Sequence, residues 1–362
     1  MNIAVVGQGT AGIMSLCHFL YYSDFNVTSY YSPNKKSLGI GESTNSSFVN
    51  LLQKSIDFDL INDLSQLDGT IKLGTVYKNW REQNINNPLL DGSVAMHFDT
   101  NLLADFVIDK LKYIYGERLT VIEEEVDVSN IKNKYDFVIN CTGFPKDFDK
   151  YQIVNLPINS CVVKNIDIAG DWNYTGHRAE KNGWVFEIPL TNRQSYGYLY
   201  NDTLNTEQEI LSELNTQEAS AVYKFQPYYK KHVLEDNVFF NGNAAIFYEP
   251  MAATSLWMYD NVNRIAHDYM HGIYSEQQAN TVFQLTSVDT ENIIKMFYYG
   301  GSNYDSDFWS LAVDYSQSTL KNHPMFIKLQ NKEIPEDGWV FNKWFLHRVA
   351  DNFGYYKSND WN

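Results

Sequence analysis

The sequence predicts an α/β protein built on a three-layer, mostly parallel sheet, and three observations carry that prediction. The chain opens with an apolar run at 2–6, a glycine-rich turn, an apolar helical stretch at 11–22 and an alternating segment at 26–31. That order is typical of a β-α-β unit. Two later apolar runs, 135–140 and 237–241, stop at glycine or polar residues. Buried strands of open parallel sheets often stop in this way at a ligand crevice.

The remaining segments predict a sheet-rich insertion and a helical end. Alternating polar and apolar residues at 158–200 favour antiparallel strands, and helical patterns occur at 49–65, 100–115 and 205–223. From residue 255 onward the pattern is mainly helical. We therefore expect a discontinuous nucleotide-binding domain, an insertion beside the substrate and a C-terminal region. The predicted bounds are 1–150 with 235–265 for the first, 151–234 for the second and 266–362 for the third.

Composition excludes several classes of partner. A 362-residue chain that is 44% hydrophobic can bury a large core. Its net charge of −16 disfavours nucleic acid and anionic lipid as partners. No apolar stretch approaches the roughly 20 residues that span a bilayer, and the start has no basic leader, so we expect a cytoplasmic protein without a membrane partner.

Three cysteines, Cys17, Cys141 and Cys161, stand at unrelated spacings. They form no Cys-x-x-Cys pair and no cluster with histidine that would suit zinc. We expect buried thiols and predict no metal site.

The segment 7–12 reads Gly-Gln-Gly-Thr-Ala-Gly between a predicted strand and a predicted helix. In this context Gly7 permits a tight turn, Gly9 lets the backbone approach a pyrophosphate and Gly12 allows close helix packing. The turn therefore predicts a Rossmann-type dinucleotide site. The acidic residue that usually ends the second strand and binds the ribose falls at Tyr31, so we expect weaker or different ribose recognition.

Further motifs follow along the chain. They are Gly-Ile-Gly-Glu-Ser-Thr at 39–44, Lys72 ahead of Asn-Trp-Arg at 79–81, His-Phe-Asp at 97–99, Asn-Cys-Thr-Gly-Phe at 140–144, Gly-Trp-Val-Phe-Glu-Ile-Pro at 183–189, Gly-Tyr-Leu-Tyr at 197–200, Gly-Asn-Ala-Ala at 242–245 with Glu249-Pro250, and Tyr298 with Phe308-Trp309. In content and order they resemble the motifs of flavin-dependent halogenases of the tryptophan-halogenase type. The resemblance covers about residues 1 to 310.

This resemblance implies a Rossmann-type FAD-binding domain and a chemistry. Reduced FAD, oxygen and a halide ion (chloride, bromide or iodide) would give a hypohalous acid, which passes through a tunnel to Lys72 beside a small aromatic substrate. A separate flavin reductase would supply FADH2, and a homo-oligomer is compatible with this interpretation. A lysine ammonium can polarise the hypohalous acid, and a neutral amine could form a haloamine. The alternative for Lys72 is a strand lysine that points to water.

The resemblance also assigns the other site residues. To FAD it assigns Gly7, Gly9, Thr10, Ala11, Gly12, Gly41, Glu42, Ser43, Gly242 and Asn243. To the halide it assigns the backbone at Thr254 and Ser255, where a helix capped by either side chain is a competing explanation. To the tunnel and substrate side it assigns Trp184, Phe186, Ile188, Pro189, Phe308 and Trp309, for which core packing is the alternative.

Departures from the family pattern bear on the substrate. Phe186 replaces a tryptophan, Asn243 an aspartate and Ala252 the catalytic glutamate, and the chain is shorter than tryptophan halogenases. These changes argue against tryptophan and favour electron-rich phenols or indoles and heavier halides, unless Glu249 or Glu187 substitutes. Two other functions stay open, a flavin monooxygenase that transfers oxygen directly to substrate and an inactive FAD-binding protein.

Overall fold

A computed structural model describes residues 1–34, 43–89, 92–333 and 343–356, with only the backbone of 343 and 344. The strands are β1 (Asn2–Val6), β2 (Asn26–Tyr31), β3 (Thr70–Lys72), β4 (Gly74–Lys78), β5 (Ile85–Pro88), β6 (Ala95–His97), β7 (Leu119–Glu123), β8 (Phe137–Asn140), β9 (Tyr151–Ile153), β10 (Ser160–Ile166), β11 (Tyr174–Glu180), β12 (Gly183–Pro189), β13 (Gln194–Tyr200), β14 (Ala221–Lys224), β15 (Tyr228–Lys230), β16 (Leu234–Glu235), β17 (Val238–Phe240) and β18 (Ile246–Phe247). The α-helices are α1 (Thr10–Tyr22), α2 (Ser46–Ile56), α3 (Thr100–Tyr115), α4 (Val128–Ile131), α5 (Glu207–Glu213), α6 (Thr254–Met270), α7 (Glu276–Tyr298), α8 (Asp307–Leu320), α9 (Pro324–Gln330) and α10 (Lys343–Asn352).

The first sheet confirms the predicted α/β class. Its strand order is β16-β17-β8-β1-β2-β7, and every pair is parallel except β16 with β17. On one face α1 packs against α2, α3 and α6. A smaller apolar cluster that includes Ala4, Val138 and Ile131 covers the other face. Because parallel strands point the same way, the segments that follow β1, β2 and β8 meet at one edge of the sheet.

A second sheet has the order β14-β10-β13-β12-β11-β4-β5 and is antiparallel except where β4 runs beside β11. Strands β4 and β5 come from the segment 1–150, so the insertion 151–234 does not build this sheet alone. The domain bounds stay a prediction. A small antiparallel pair, β3 with β6, lies next to it.

Two helical predictions were too long. The helix predicted over 49–65 ends at Ile56, because Asp57 adopts a left-handed conformation. The helix predicted over 205–223 is confined to Glu207–Glu213, and β14 follows it. The backbone of that later segment pairs with β10, so sheet pairing prevails over a weak helical pattern.

The C-terminal region is mainly helical, as predicted, and α6, α7 and α8 pack in sequence. No helix in the described part of the chain is long and apolar enough to cross a bilayer. A buried polar cluster ties distant parts of the chain together. Ser15 of α1 donates to Asn263 of α6 at 2.7 Å, and Asn241, which follows β17, donates to the same amide oxygen at 3.0 Å.

Candidate active site

The glycine-rich turn has the geometry that a pyrophosphate requires. Gly7 has a φ of +103°, which favours glycine, and a side chain at Gly12 would stand 1.9 Å from the Gly7 carbonyl oxygen. A Cβ at Gly9 would meet nothing within 4 Å, so this backbone faces open space. Helix α1 starts at Thr10 without a side-chain cap, so its first amides remain available to an anion. These residues fit the phosphates of a dinucleotide.

A cavity of about 1050 Å³ begins at this turn and continues to Lys72. Of the residues predicted to contact FAD, those that line it are Gly7, Gly9, Thr10, Ala11, Ser43, Gly242 and Asn243. Gly12 packs behind the turn against Gly7. Gly41 and Glu42 lie outside the described residues.

The end of the cavity near β2 carries carboxylates from a neighbouring strand. The Tyr31 hydroxyl donates to Glu123 at 2.9 Å across the β2–β7 pair, and the Ser32 hydroxyl donates to Glu125 at 3.2 Å. Glu124 and Glu125 line the cavity. The sequence motif did not predict them, because the acidic residue is expected at the end of β2 itself.

Lys72 points inward. It alternates with Ile71 along β3, so Ile71 is 36% exposed while Lys72 is 4% exposed. Its Nζ donates to Ser43 Oγ at 2.9 Å and to the Thr44 carbonyl oxygen at 2.7 Å. This position excludes the alternative of a lysine that points to water.

The environment of this amine favours its neutral form. Burial lowers the Lys72 pKa to about 7. Among the described residues, no carboxylate lies within ion-pair distance of it. At neutral pH a large fraction of the amine is therefore uncharged.

A chain of hydrogen bonds continues from Ser43 into the wall of the cavity. Ser43 Oγ lies 2.7 Å from Thr175 Oγ1, which lies 2.9 Å from His97 Nε2. His97 Nδ1 lies 2.9 Å from Thr70 Oγ1, which donates to the Pro189 carbonyl oxygen at 2.7 Å. Burial first, and then the nearby lysine, hold the His97 pKa well below its usual range, so the ring is neutral.

Three residues near the lysine, His97, Thr175 and His177, were not predicted from the sequence to belong to the site. His97 belongs to a motif, but that motif does not reveal its partners. Thr175 and His177 line the cavity on one face of β11, and burial lowers the His177 pKa to about 3. Thr175 and His177 stand two residues apart, so on a strand they share one face. The sequence does not show which strand pairs with β11, and it therefore does not show whether that face lies inward.

The segment predicted to hold a halide is an unusual backbone turn. Ala252 and Ala253 have φ values of 54° and 56°, both in the left-handed region, just before α6. Ser255 lines the cavity with these two alanines, whereas Thr254 is buried behind them and its amide donates to the Met251 carbonyl. Helix α6 has Ala253 at its N-cap and no side-chain cap, so the explanation by a Thr or Ser cap is wrong.

Neither glutamate that might replace the one missing at Ala252 is among the residues that line the cavity. Glu249 is fully buried and accepts a hydrogen bond from the Tyr298 hydroxyl at 2.9 Å, and burial raises its pKa to about 8. Glu187 is paired with Arg178 at 2.8 Å.

Some of the residues predicted to line the tunnel lie on the cavity wall, and the others are buried in the packing around it. Phe186 and Ile188 of β12 line the cavity. Trp184 is buried on the same strand and donates its indole N–H to Tyr298 at 2.7 Å. The predicted residues that are buried in the packing around the cavity, and not on its lining, are Trp184, Pro189, Phe308 and Trp309.

Comparison with known proteins agrees with this geometry. The sequence profile of the tryptophan halogenase family matches residues 2–90 and 93–344. Tryptophan 7-halogenase RebH of Lentzea aerocolonigenes is 22% identical over 61% of this chain and 49% of its own length. Tryptophan 7-halogenase KtzQ of Kutzneria sp. (strain 744) is 21% identical over 63% of this chain and 50% of its own. The chain thus spans about half the length of the curated relatives it matches.

Solved structures share the fold. Xcc4156, a flavin-dependent halogenase from Xanthomonas campestris, superposes with a TM-score of 0.79 at 17% identity, over 98% of this chain and 88% of that one. BrvH, a flavin-dependent halogenase from Brevundimonas sp. BAL3, has a TM-score of 0.77 at 16% identity, over 99% and 91%. With the Rossmann-type turn, the cavity and a match along nearly the whole sequence, the chain belongs to the tryptophan halogenase family.

Proposed function

We propose that the protein is an FADH2-dependent halogenase of an electron-rich aromatic substrate, with Lys72 as its catalytic residue. One observation carries the proposal. A buried lysine amine and a dinucleotide-binding turn open onto the same cavity. Among the described residues the amine has no carboxylate partner, and burying a lysine in that way is costly, so this position favours a chemical role over a structural one.

The cofactor would be held by the turn at 7–12 together with Gly242 and Asn243, and Gly242 lies directly against Ala11 of α1. The amides of the first turn of α1 would bind its pyrophosphate. When bound and reduced by a separate flavin reductase, FAD would supply two electrons to O2, so that one oxygen atom leaves as water and the other oxidises the halide ion to hypohalous acid. Asn243 is held in place by Tyr259, whose hydroxyl donates to its side-chain oxygen at 3.0 Å.

The halide would bind beside the turn at 252–255. Two consecutive left-handed residues redirect the backbone before a helix that lacks a side-chain cap. Backbone turns of this kind can present amides to an anion. Because the Thr254 amide is already bonded to Met251, the contribution of Ser255 is the larger one in this proposal.

From that point the hypohalous acid would reach Lys72 without leaving the cavity. Phe186 and Ile188 form part of the wall, so the path is apolar there. An uncharged amine has a lone pair that can receive the electrophilic halogen, while the charged form can only donate a hydrogen bond. The N–halogen bond would form as the oxygen–halogen bond breaks and water leaves, and the halogen would then pass to the aromatic ring, whose displaced proton returns the amine to its starting state.

The site also supports a substrate class. A general base contributes typically 10²- to 10⁴-fold to a rate, and Ala252 supplies none. Glu187 is engaged by Arg178, and Glu249 by Tyr298. We therefore propose electron-rich phenols or indoles as substrates, and bromide or iodide in preference to chloride.

The proposal is tested by incubating the protein with FAD, a flavin reductase, NADH and each halide over a panel of aromatic compounds, with mass spectrometry of the products. Halogenated product is expected from the parent and none from Lys72→Ala. Lys72→Arg keeps the charge but has no lone pair of comparable reactivity, so it should also be severely impaired. FAD binding and flavin reoxidation should persist in both variants.

Other outcomes would change the assignment. If Lys72→Ala halogenates as well as the parent, the catalytic role of this lysine is wrong. An oxygenated product formed without halide would identify a monooxygenase, and flavin binding without any product would identify an inactive descendant. Rapid bleaching of bound FAD by NADH alone would contradict the need for a separate reductase.

A further inference from the structure

With the His97 ring neutral, the hydrogen bonds around Lys72 form a series with a single direction. Thr70 donates its single hydroxyl proton to the Pro189 carbonyl, which can only accept. Thr70 Oγ1 must therefore accept from its other partner, the Nδ1–H of His97. A neutral imidazole carries one proton, so Nε2 is the acceptor on the opposite side of the ring.

Donors and acceptors can be assigned in the same way from His97 to the lysine. His97 Nε2 accepts the hydroxyl proton of Thr175. Thr175 Oγ1 must then accept the hydroxyl proton of Ser43, which lies 2.7 Å away. With its only proton committed, Ser43 can act toward the lysine amine only as an acceptor.

This direction has a consequence for the amine itself. An uncharged amine has two N–H groups, and Lys72 uses both, one on Ser43 Oγ and one on the Thr44 carbonyl oxygen. The remaining tetrahedral position of Nζ is the lone pair. Lys72 lines the cavity, so a reactant that enters it can meet the amine on the side that Ser43 and Thr44 do not occupy.

We propose that His97 is a positioning residue for Lys72. Acting through the hydroxyls of Thr175 and Ser43, it prevents the Ser43 proton from turning toward the amine and capping its lone pair. This inference rests on the proposed function for its biological meaning. The orientation of the amine can nevertheless be measured without flavin turnover, halide or aromatic substrate.

The experiment measures the reactivity of the lone pair with cyanate, whose neutral form, isocyanic acid, is small and carbamylates uncharged amines. The full chain with FAD bound is treated at pH 7.5, and peptide mapping gives the rate at Lys72. Lys112, an exposed lysine of α3, serves as the internal reference. Carbamylation of Lys72 is expected in the parent, and its absence would overturn the proposal.

The variants interrupt this series of hydrogen bonds at two residues, Thr175 and His97. Thr175→Val removes the acceptor for the Ser43 proton while keeping the side-chain shape, and the rate at Lys72 should fall by about five- to tenfold, the effect of one hydrogen bond. Thr175→Ser retains the hydroxyl and should restore the parent rate. His97→Leu should lower the rate as Thr175→Val does. The double variant should show no further loss, because both changes break one chain.

Controls separate this result from a loss of structure. FAD affinity and the midpoint of thermal unfolding should show that Thr175→Val and Thr175→Ser are equally folded. If Thr175→Val reacts at the parent rate, the positioning role of His97 is refuted whatever the halogenation assay shows. Conversely, carbamylation of Lys72 could respond to the variants as expected in a protein that halogenates nothing. That result would refute the proposed function alone.

Discussion

Phe186 lies opposite Gly197 across the β12–β13 pair, and its ring fills the space that a side chain at Gly197 would need. A Cβ built there would stand 2.0 Å from Cζ of the ring. The wall of the cavity is therefore shaped by a glycine on the neighbouring strand.

Gly197→Ala should consequently overpack this wall. The free energy of unfolding should fall by about 1–3 kcal/mol, the usual cost of an extra methyl in a packed core, as measured by denaturant titration. Phe186→Leu in the same background frees the space and should recover most of the loss. An equal cost of Gly197→Ala with either residue at 186 would show that the ring is not the cause.

Gly9→Val should abolish tight FAD binding and leave the fold intact. Its side chain would project into open space, where the pyrophosphate approaches the turn. Fluorescence quenching measures the affinity, and the midpoint of unfolding without FAD should equal that of the parent. Gly12→Ala is the matched contrast, because its Cβ meets the Gly7 carbonyl and should lower the midpoint itself. Full FAD affinity in Gly9→Val would contradict the proposed site.

Ala252→Glu should increase halogenation by restoring a carboxylate at the cavity. Up to about 10²-fold is expected for a positioned general base, with the largest gain on the least activated rings. The left-handed backbone at this position costs a side chain about 1–2 kcal/mol, whichever residue is present. Ala252→Gly removes that strain without adding a base, so it should raise stability without the preferential gain on the least activated rings. A rate gain in both variants would attribute the effect to the backbone.

The buried amine of Lys72 should also make stability depend on pH. Its pKa is about 7 in the folded protein and near the ordinary 10.5 when unfolded, so the unfolded chain binds more protons between these values. Stability relative to Lys72→Met should therefore rise with pH above 7, by about 1.4 kcal/mol per pH unit at the steepest part of the curve. Denaturant titrations of both proteins from pH 6 to 9.5 measure this difference. A constant difference across that range would show that Lys72 is charged in the native state.

The sequence alone was sufficient where one local pattern determines one feature. The order of strand, glycine turn and helix predicted β1, α1 and the parallel sheet. Lys72 could be singled out only through its motif, since its strand pattern equally allowed exposure. Pairing of β3 with β6 decides which face is buried, and that pairing joins residues about 25 apart.

Features that depend on two distant segments could not be predicted. The bond between Ser43 and Thr175 joins residues separated by more than one hundred positions. The same holds for β4, whose parallel partner is β11. Aromatic residues show the same limit of prediction from sequence. The spacing of Trp184 suits either a cavity wall or the core, and its hydrogen bond to Tyr298 in the structure places it in the core.

The sheet order has a consequence for biosynthesis. β1 is translated about 130 residues before its neighbour β8, β17 joins β8 after a further hundred, and the Asn263 partner of Ser15 comes later still. The nucleotide turn is translated well before the segments that complete it. Productive capture of the cofactor is therefore a late event in synthesis, and a nascent chain that stalls before residue 240 exposes an open sheet edge that is prone to aggregation.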